Sequence, residues 1–292
     1  MIVIENHIDD FLYYLTHNRR MSPHTCRAYE SDLTQFVVFL NTLGLKDVSL
    51  IKSIHIRSWV MDLMKADVTA RSVNRKLSTL RAWFKFLRNQ QIITSDPMSK
   101  VISPKTPKHL VKDIPATDLR DMFDRFSWDE MSEGKRDKLL MLMLYTTGMR
   151  LSELIHLKWA DVDFYRMSLR VLGKRNKVRE IPLHDELMTL LKEFSDSKEG
   201  LIFYRDSSKM EAAMYPMMVY RIVNHYLKLF SHASKTSPHV LRHSFATHML
   251  NNGANLMAIK DLLGHANLSA TQVYTKNSFD KLKKIHQLHP RR

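Results

Sequence analysis

The sequence predicts a mainly α-helical protein of two domains, an all-helical N-terminal one and a larger α-rich one that carries a small antiparallel sheet. Three observations predict it. Apolar residues recur at helical spacing through most of the chain. A stretch rich in proline and lysine, SDPMSKVISPKTPKHLVKDIP, breaks that periodicity between Pro97 and Pro115. Only one region, VDFYRMSLRVLGKRNKVREIPL, reads as strands around a turn. The expected division is residues 1–96, a basic linker over 97–115, and residues 116–292. With 292 residues and 44% apolar content, the chain has material for two cores.

In the first domain a helix is predicted around Ile8 to Thr16. A second opens on Ser22 as its N-cap, with Pro23 at the first helical position, and two more follow. The fourth, from about Thr69 to Asn89, buries one face made of Val73, Leu77, Leu80, Phe84 and Leu87. Beside that face run Asn74, Ser78, Arg81, Lys85 and Arg88, also at helical spacing. Such a row is either a solvated face or one turned to a polyanion. The absence of acids from Thr69 to Asn89 favours a DNA-facing surface, since a merely solvated helix mixes signs.

In the second domain helices are predicted at Thr117 to Phe126, at Lys135 to Tyr145 and near Ser152. Strands follow at Ser168 to Val171 and Val178 to Ile181, hinged on Gly173 and Asn176, with Lys174, Arg175 and Lys177 making the turn basic. Helices resume at His184 to Phe194, Pro216 to Phe230, Pro238 to Asn251, Leu256 to Leu263 and near Ser269. From Ser278 to Leu288, the residues Phe279, Leu282, Ile285 and Leu288 form an apolar stripe that packs either on a partner or back on its own domain.

The formal net charge of +15 and a pI near 9.8 favour a polyanionic partner, because neutralising phosphates releases condensed counterions. Nucleic acid leads. A membrane-surface protein would show a polybasic block beside an amphipathic or lipidated segment, and none is seen. MIVIENHIDD lacks the pattern of a signal peptide, and the longest apolar stretch, Leu139 to Tyr145, is too short to span a bilayer. Cys26 is the only cysteine, so no intramolecular disulfide forms and a structural zinc site is disfavoured. A cytoplasmic, reducing location without a membrane partner is expected.

Displacement at a phosphodiester needs charge neutralisation on the non-bridging oxygens, an in-line nucleophile and a proton for the leaving alkoxide. An arginine fork holds phosphate through two parallel hydrogen bonds. His239 and Arg242 lie three apart in the first turns of a predicted helix, where free backbone N–H groups also favour an anion. Either Arg150 or Arg242 alone would more often be a structural ion-pair residue. His239, His243 and His248 imitate metal-ligand spacing, but the glutamate of H-E-x-x-H is missing. Gly264 reads as a helix C-cap that turns the chain toward His265 and Tyr274.

Arg150 in TTGMRLSEL, Lys174 in VLGKRNKVREIPL, His239 and Arg242 in SPHVLRHSFATH, and His265 and Tyr274 in LLGHANLSATQVYT together resemble the active-site set of the tyrosine recombinase (lambda-integrase-like) family. SPHTCRAYESDLTQFVVFL and ARSVNRKLSTLRAWFKFL look like the SAM-like core-binding domain of its Xer-type members, and KLKKIHQLHPRR resembles their tail. The resemblance implies a DNA breaking-rejoining fold for the catalytic domain, closing with the first domain as a clamp on double-stranded DNA. It implies that Tyr274 attacks the scissile phosphate to give a 3'-phosphotyrosine and a free 5'-hydroxyl, with no metal, ATP or other cofactor. Arg150 and Arg242 would clamp the phosphate and Lys174 would protonate the departing 5'-oxygen, an assignment over Arg175 and Lys177 that rests on the Gly-Lys match. His239 would assist proton transfer, His265 would hydrogen-bond a phosphate oxygen, and Glu153 would orient the site. The partners implied are a homo- or hetero-tetramer of recombinase protomers on two DNA sites, with the tail docking on a neighbour, and a DNA translocase or accessory protein as activator. The short length and the lack of an arm-binding domain before Met1 point to Xer-type resolution of chromosome or plasmid dimers. The alternatives are an integrase of a mobile element and, from another class, a non-enzymatic architectural DNA-binding protein.

Overall fold

A computed structural model of the chain describes residues 4–107, 112–128, 133–173, 178–194, 199–205, 212–233, 235–264 and 282–291. It divides into two compact units, Met1–His109 and Leu110–Arg292. Among the described residues no helix is long and apolar enough to cross a membrane.

The first unit holds α1 (Ile4–Tyr13), α2 (Pro23–Thr42), α3 (Ser53–Lys65) and α4 (Ala70–Asn89). α1 runs on into a wider π-helical turn, Tyr14–Asn18, so the first helix begins and ends differently from the expected Ile8 to Thr16. Ser22 caps α2 by accepting from the Thr25 N–H at 3.2 Å, with Pro23 in its first turn. Thr69 caps α4 in the same way. Val73, Leu77, Leu80, Phe84 and Leu87 are all fully buried against Leu33, Phe36 and Leu40 of α2 and Phe11 of α1.

One ionic group lies inside this core. Asp32 is fully buried on α2 and accepts from Arg75 Nη1 (2.5 Å), Lys76 Nζ (3.0 Å) and Thr79 Oγ1 (2.9 Å), all on α4. A buried carboxylate needs such partners, because leaving either charge unpaired costs about 3–5 kcal/mol.

Part of the linker expected over 97–115 packs on the first unit. Met98 and Val101 are buried in the first core, and the following residues lie along α4. Asn74 Nδ2 donates to Pro104 O and Thr106 Oγ1, both at 2.9 Å, and Arg81 Nη2 donates to Ser103 Oγ at 2.8 Å. Loss of helical periodicity after Pro97 is real, but an extended chain can be packed as firmly as a helix.

The second unit begins with α5 (Ala116–Arg125), α6 (Gly134–Thr147) and the short α7 (Leu151–Ile155). α6 is buried all round from Leu139 to Thr147 and forms the centre of the core, as a helix apolar on every side must. β1 (Val162–Asp163), β2 (Ser168–Leu172) and β3 (Val178–Pro182) make an antiparallel sheet in that order, with Val162 paired to Leu169, Leu169 to Ile181 and Leu172 to Val178. α8 (Asp185–Phe194), α9 (Pro216–Phe230), α10 (Pro238–Asn251) and α11 (Leu256–Leu263) follow. α9 and α10 each start on the proline that predicts them.

The described part of the tail, 282–291, packs on its own unit. Leu282 is buried in the second core, with Ile285 and Leu288 against it. His286 Nε2 is hydrogen-bonded to Thr146 O (2.7 Å), and Asn252 Nδ2 donates to Leu288 O (2.7 Å). Arg291 pairs with Asp124 (2.8 Å) and Glu186 (2.5 Å) and lies over the Phe123 ring. Of the two partners open to the apolar stripe, these residues take their own domain; Phe279 and the helix expected near Ser269 lie outside the described residues.

Candidate active site

The site starts at a glycine. α6 ends at Gly148, whose φ of +58° is left-handed, and a Cβ there would sit 2.5 Å from Phe245 Cδ1 and 2.9 Å from Leu263 Cδ2. Only glycine fits both the conformation and the space. The turn sends the chain through an extended Arg150 into α7 and leaves the Gly148 carbonyl facing Arg242, which donates to it from Nη1 at 2.6 Å.

Arg150 occupies the N-cap position of α7, and Glu153 stands at its third residue. That spacing lets one carboxylate do two things. It accepts the Arg150 backbone N–H at 2.7 Å, capping the helix, and the Arg150 Nη1 at 2.7 Å, fixing the guanidinium. Glu153 also accepts a two-pronged pair from Arg179, Nη1 to Oε1 at 3.0 Å and Nη2 to Oε2 at 2.6 Å. Burial alone would raise the Glu153 pKa, but the hydrogen bonds and charges of Arg179 and Arg150 outweigh it and hold the carboxyl below its ordinary value.

The three arginines meet at the C-terminal end of α11. Arg179 Nε donates to Leu262 O (2.8 Å), Arg242 Nη2 to Leu263 O (2.7 Å) and Arg150 Nη2 to Gly264 O (3.0 Å). These carbonyls have no partner within the helix, and the negative end of the helix dipole adds to their pull on cations. Gly264 stops α11 with φ of +64°, as the sequence expects of a C-cap. Burial, followed by the charges of Arg150 and Arg179, lowers the Arg242 pKa to about 10, which still leaves it charged at neutral pH.

Arg150 and Arg242 each spend two of the five N–H donors of their side chains on these bonds among the described residues. Both are partly exposed, and His239, one helical turn before Arg242 on α10, is exposed. Ser237 caps that helix at Val240 N, with Pro238 in its first turn. The pair of half-open guanidiniums suits an anion with several oxygens, phosphate above all.

The structure thus brings Arg150, Glu153 and Arg242 together. Lys174, Arg175, Lys177, His265 and Tyr274 lie outside the described residues. Gly264, which precedes His265, is bonded to Arg150, and Arg179, two positions after Lys177, is bonded to Glu153. Of the expected DNA-facing row on α4, Lys85 is exposed, while Asn74 and Arg81 hold residues 103–106. Ser78 Oγ donates to Asn74 O, and Arg88 pairs with Asp96 at 3.4 Å. His248, one of the three histidines at metal-like spacing, is buried and bonded to the Tyr145 hydroxyl at 2.9 Å.

Arg179 is absent from the sequence reading. Strand period offers the signal that would have found it, because an inward Ile181 requires position 179 to face inward too, and a charged residue there must have a partner.

Comparison with known proteins agrees with this architecture. Residues 115–281 match the Phage integrase family, and residues 8–91 match its N-terminal SAM-like domain. The tyrosine recombinase XerC of Chlorobaculum parvum is 33% identical over 317 residues, covering 97% of this chain and 94% of the relative. A tyrosine recombinase of Pseudothermotoga lettingae is 33% identical over 297 residues, covering 97% and 99%. In fold, the chain is similar to the Tn1549 transposon integrase in complex with transposon right end DNA, with a TM-score of 0.74 at 18% identity over 97% of this chain and 99% of that one. From the matched span and these full-length relatives, the chain belongs to the phage integrase family of tyrosine recombinases.

Proposed function

We propose that this recombinase cuts and rejoins double-stranded DNA at a specific site through a covalent link to Tyr274, and that its role is Xer-type resolution of chromosome or plasmid dimers. The observation that carries the chemistry is the arginine cluster, in which Arg150 and Arg242 are held side by side on the end of α11 with donors to spare. There they would grip the non-bridging oxygens of the scissile phosphate and stabilise the extra negative charge of the pentacoordinate transition state. The Tyr274 oxygen forms a bond to phosphorus as the bond to the 5'-oxygen breaks. Lys174 gives the departing oxygen its proton, His239 assists that transfer, His265 hydrogen-bonds a phosphate oxygen, and Glu153 keeps Arg150 aimed. The phosphotyrosine conserves the energy of the broken ester, so a 5'-hydroxyl from a second strand reseals it by the reverse displacement. Exchange between two sites calls for four protomers, identical or paired with a paralogue, and a translocase or accessory protein fits as activator.

The dimer-resolution role is supported by the XerC relatives from several bacteria at 30–33% identity over nearly the whole chain. The test of the chemistry is a nicked suicide duplex, made from the cognate site once genome-wide mapping of covalent attachment has located it. Wild type should accumulate a protein–DNA adduct, and Tyr274→Phe should form none while binding the duplex about as well. An adduct with the Phe variant would remove Tyr274 as the nucleophile. Attachment at the border of a mobile element, in place of one chromosomal or plasmid locus, would replace dimer resolution with integration.

A further inference from the structure

We infer that Arg179 is a positioning residue for this reaction, the counter-ion that lets Glu153 aim Arg150 without cancelling its charge; this rests on the function proposed above. The site contains three guanidiniums and, among the described residues bonded to them, one carboxylate. If Glu153 served Arg150 alone, the pair would be neutral where a phosphate needs a cation. The Arg179 guanidinium binds both Glu153 oxygens, at 3.0 and 2.6 Å, whereas the Arg150 guanidinium binds one, the other taking the Arg150 backbone N–H. The exposures separate the roles. The Arg179 side chain is 4% exposed and the Arg150 side chain 28%, so Arg150 faces the open side while Arg179 stays behind the carboxylate. The third bond of Arg179, Nε to Leu262 O, ties the same counter-ion to α11, whose next carbonyls anchor Arg242 and Arg150. Gly264 leaves room for this, since a Cβ there would stand 3.1 Å from Arg179 Nη1.

The experiment measures single-turnover cleavage of the suicide duplex by wild type, Arg179→Met, Glu153→Gln and the double variant, at a temperature where circular dichroism shows each folded. Arg179→Met alone should slow cleavage on the order of 10- to 100-fold, the usual effect of losing a partner one layer behind a reacting group. In the Glu153→Gln background the same change should slow it less than about threefold, because a neutral amide needs no counter-ion. A second readout uses a duplex whose scissile phosphate is a neutral methylphosphonate, on which the defect of Arg179→Met should shrink at least about tenfold. A merely structural arginine would not sense the charge of one phosphate. Equal losses in both backgrounds, or an undiminished defect on the methylphosphonate, would overturn the assignment. If Arg179→Met alone does not fold, the double variant and Glu153→Gln, compared on the two substrates, decide it: a charge-independent gap larger than threefold overturns it. A wild type that forms no adduct on its mapped site would instead sink the recombinase chemistry itself.

Discussion

Replacing Gly148 by alanine should damage both the fold and the chemistry, and the size of the first effect follows from the local geometry. A left-handed conformation costs a residue with a Cβ about 1–2 kcal/mol. The new methyl carbon would also fall 2.5 Å from Phe245 and 2.9 Å from Leu263, both buried. Overpacking of that kind adds about 1–3 kcal/mol. The sum is about 2–5 kcal/mol. Gly253 provides the control within the same unit, since it too has a positive φ, +87°, but nothing lies within 4 Å of its would-be Cβ. Gly253→Ala should therefore show the conformational part alone. Native-state hydrogen exchange of the α6 amides reports the second unit by itself, whether or not the two units unfold together. Gly148→Ala should lower the opening free energy there by about 1–3 kcal/mol more than Gly253→Ala does, and it should slow cleavage by shifting the carbonyl that holds Arg242. Equal losses for the two variants would refute the packing argument.

Two other outcomes can be checked directly. Burial pushes the pKa values of His184 and His289 down to about 3 and also lowers His286 and His248. The unfolded chain therefore binds protons that the fold refuses; stability is full above about pH 6.5 and falls as the pH drops from there toward 3, by roughly 1.4 kcal/mol per unit for each of His184 and His289, with His286 and His248 acting in the same direction. Thermal midpoints at pH 7.5, 6 and 5 should fall in that order, and His289→Phe should flatten the trend; a midpoint indifferent to pH would contradict it. Separately, Lys174→Ala should slow cleavage of an ordinary duplex and recover on one with a 5'-bridging phosphorothiolate, whose sulfur leaves without a proton. Failure to recover moves the acid role to another group, with Arg175 and Lys177 the nearest in sequence.

Much of the helical framework can be read from sequence because its ends carry local chemistry. Ser22 and Pro23, Thr69, Pro216, Pro238 and Gly264 each mark a terminus through their own backbone preferences, and the structure places helix ends at all of them. Elements without such marks are harder. The two-residue β1 is too short to show alternation, and the π-helical turn after α1 has no composition of its own. The fate of residues 97–107 depends on Met98 and Val101 finding a hydrophobic surface, which is a tertiary matter. In the site, Arg242 stands out by its spacing from His239, and Arg150 and Glu153 stand out through the family resemblance. Arg179 does not, because its partners Glu153 and Leu262 lie 26 and 83 positions away. Asp32 is similar: its position four before Phe36 puts it on the buried face of α2, but its partners Arg75, Lys76 and Thr79 come from another helix.

The end of α11 has an entropic consequence. A free arginine side chain gives up about 2 kcal/mol of rotamer freedom when it is fixed. Here the fold itself holds Arg150 and Arg242, through Gly264 O and Leu263 O and through further bonds to Glu153 and Gly148. The ordering of both side chains is thus part of folding. On the function proposed above, a scissile phosphate would meet donors that need not be recruited, and more of its contact energy would remain for the transition state.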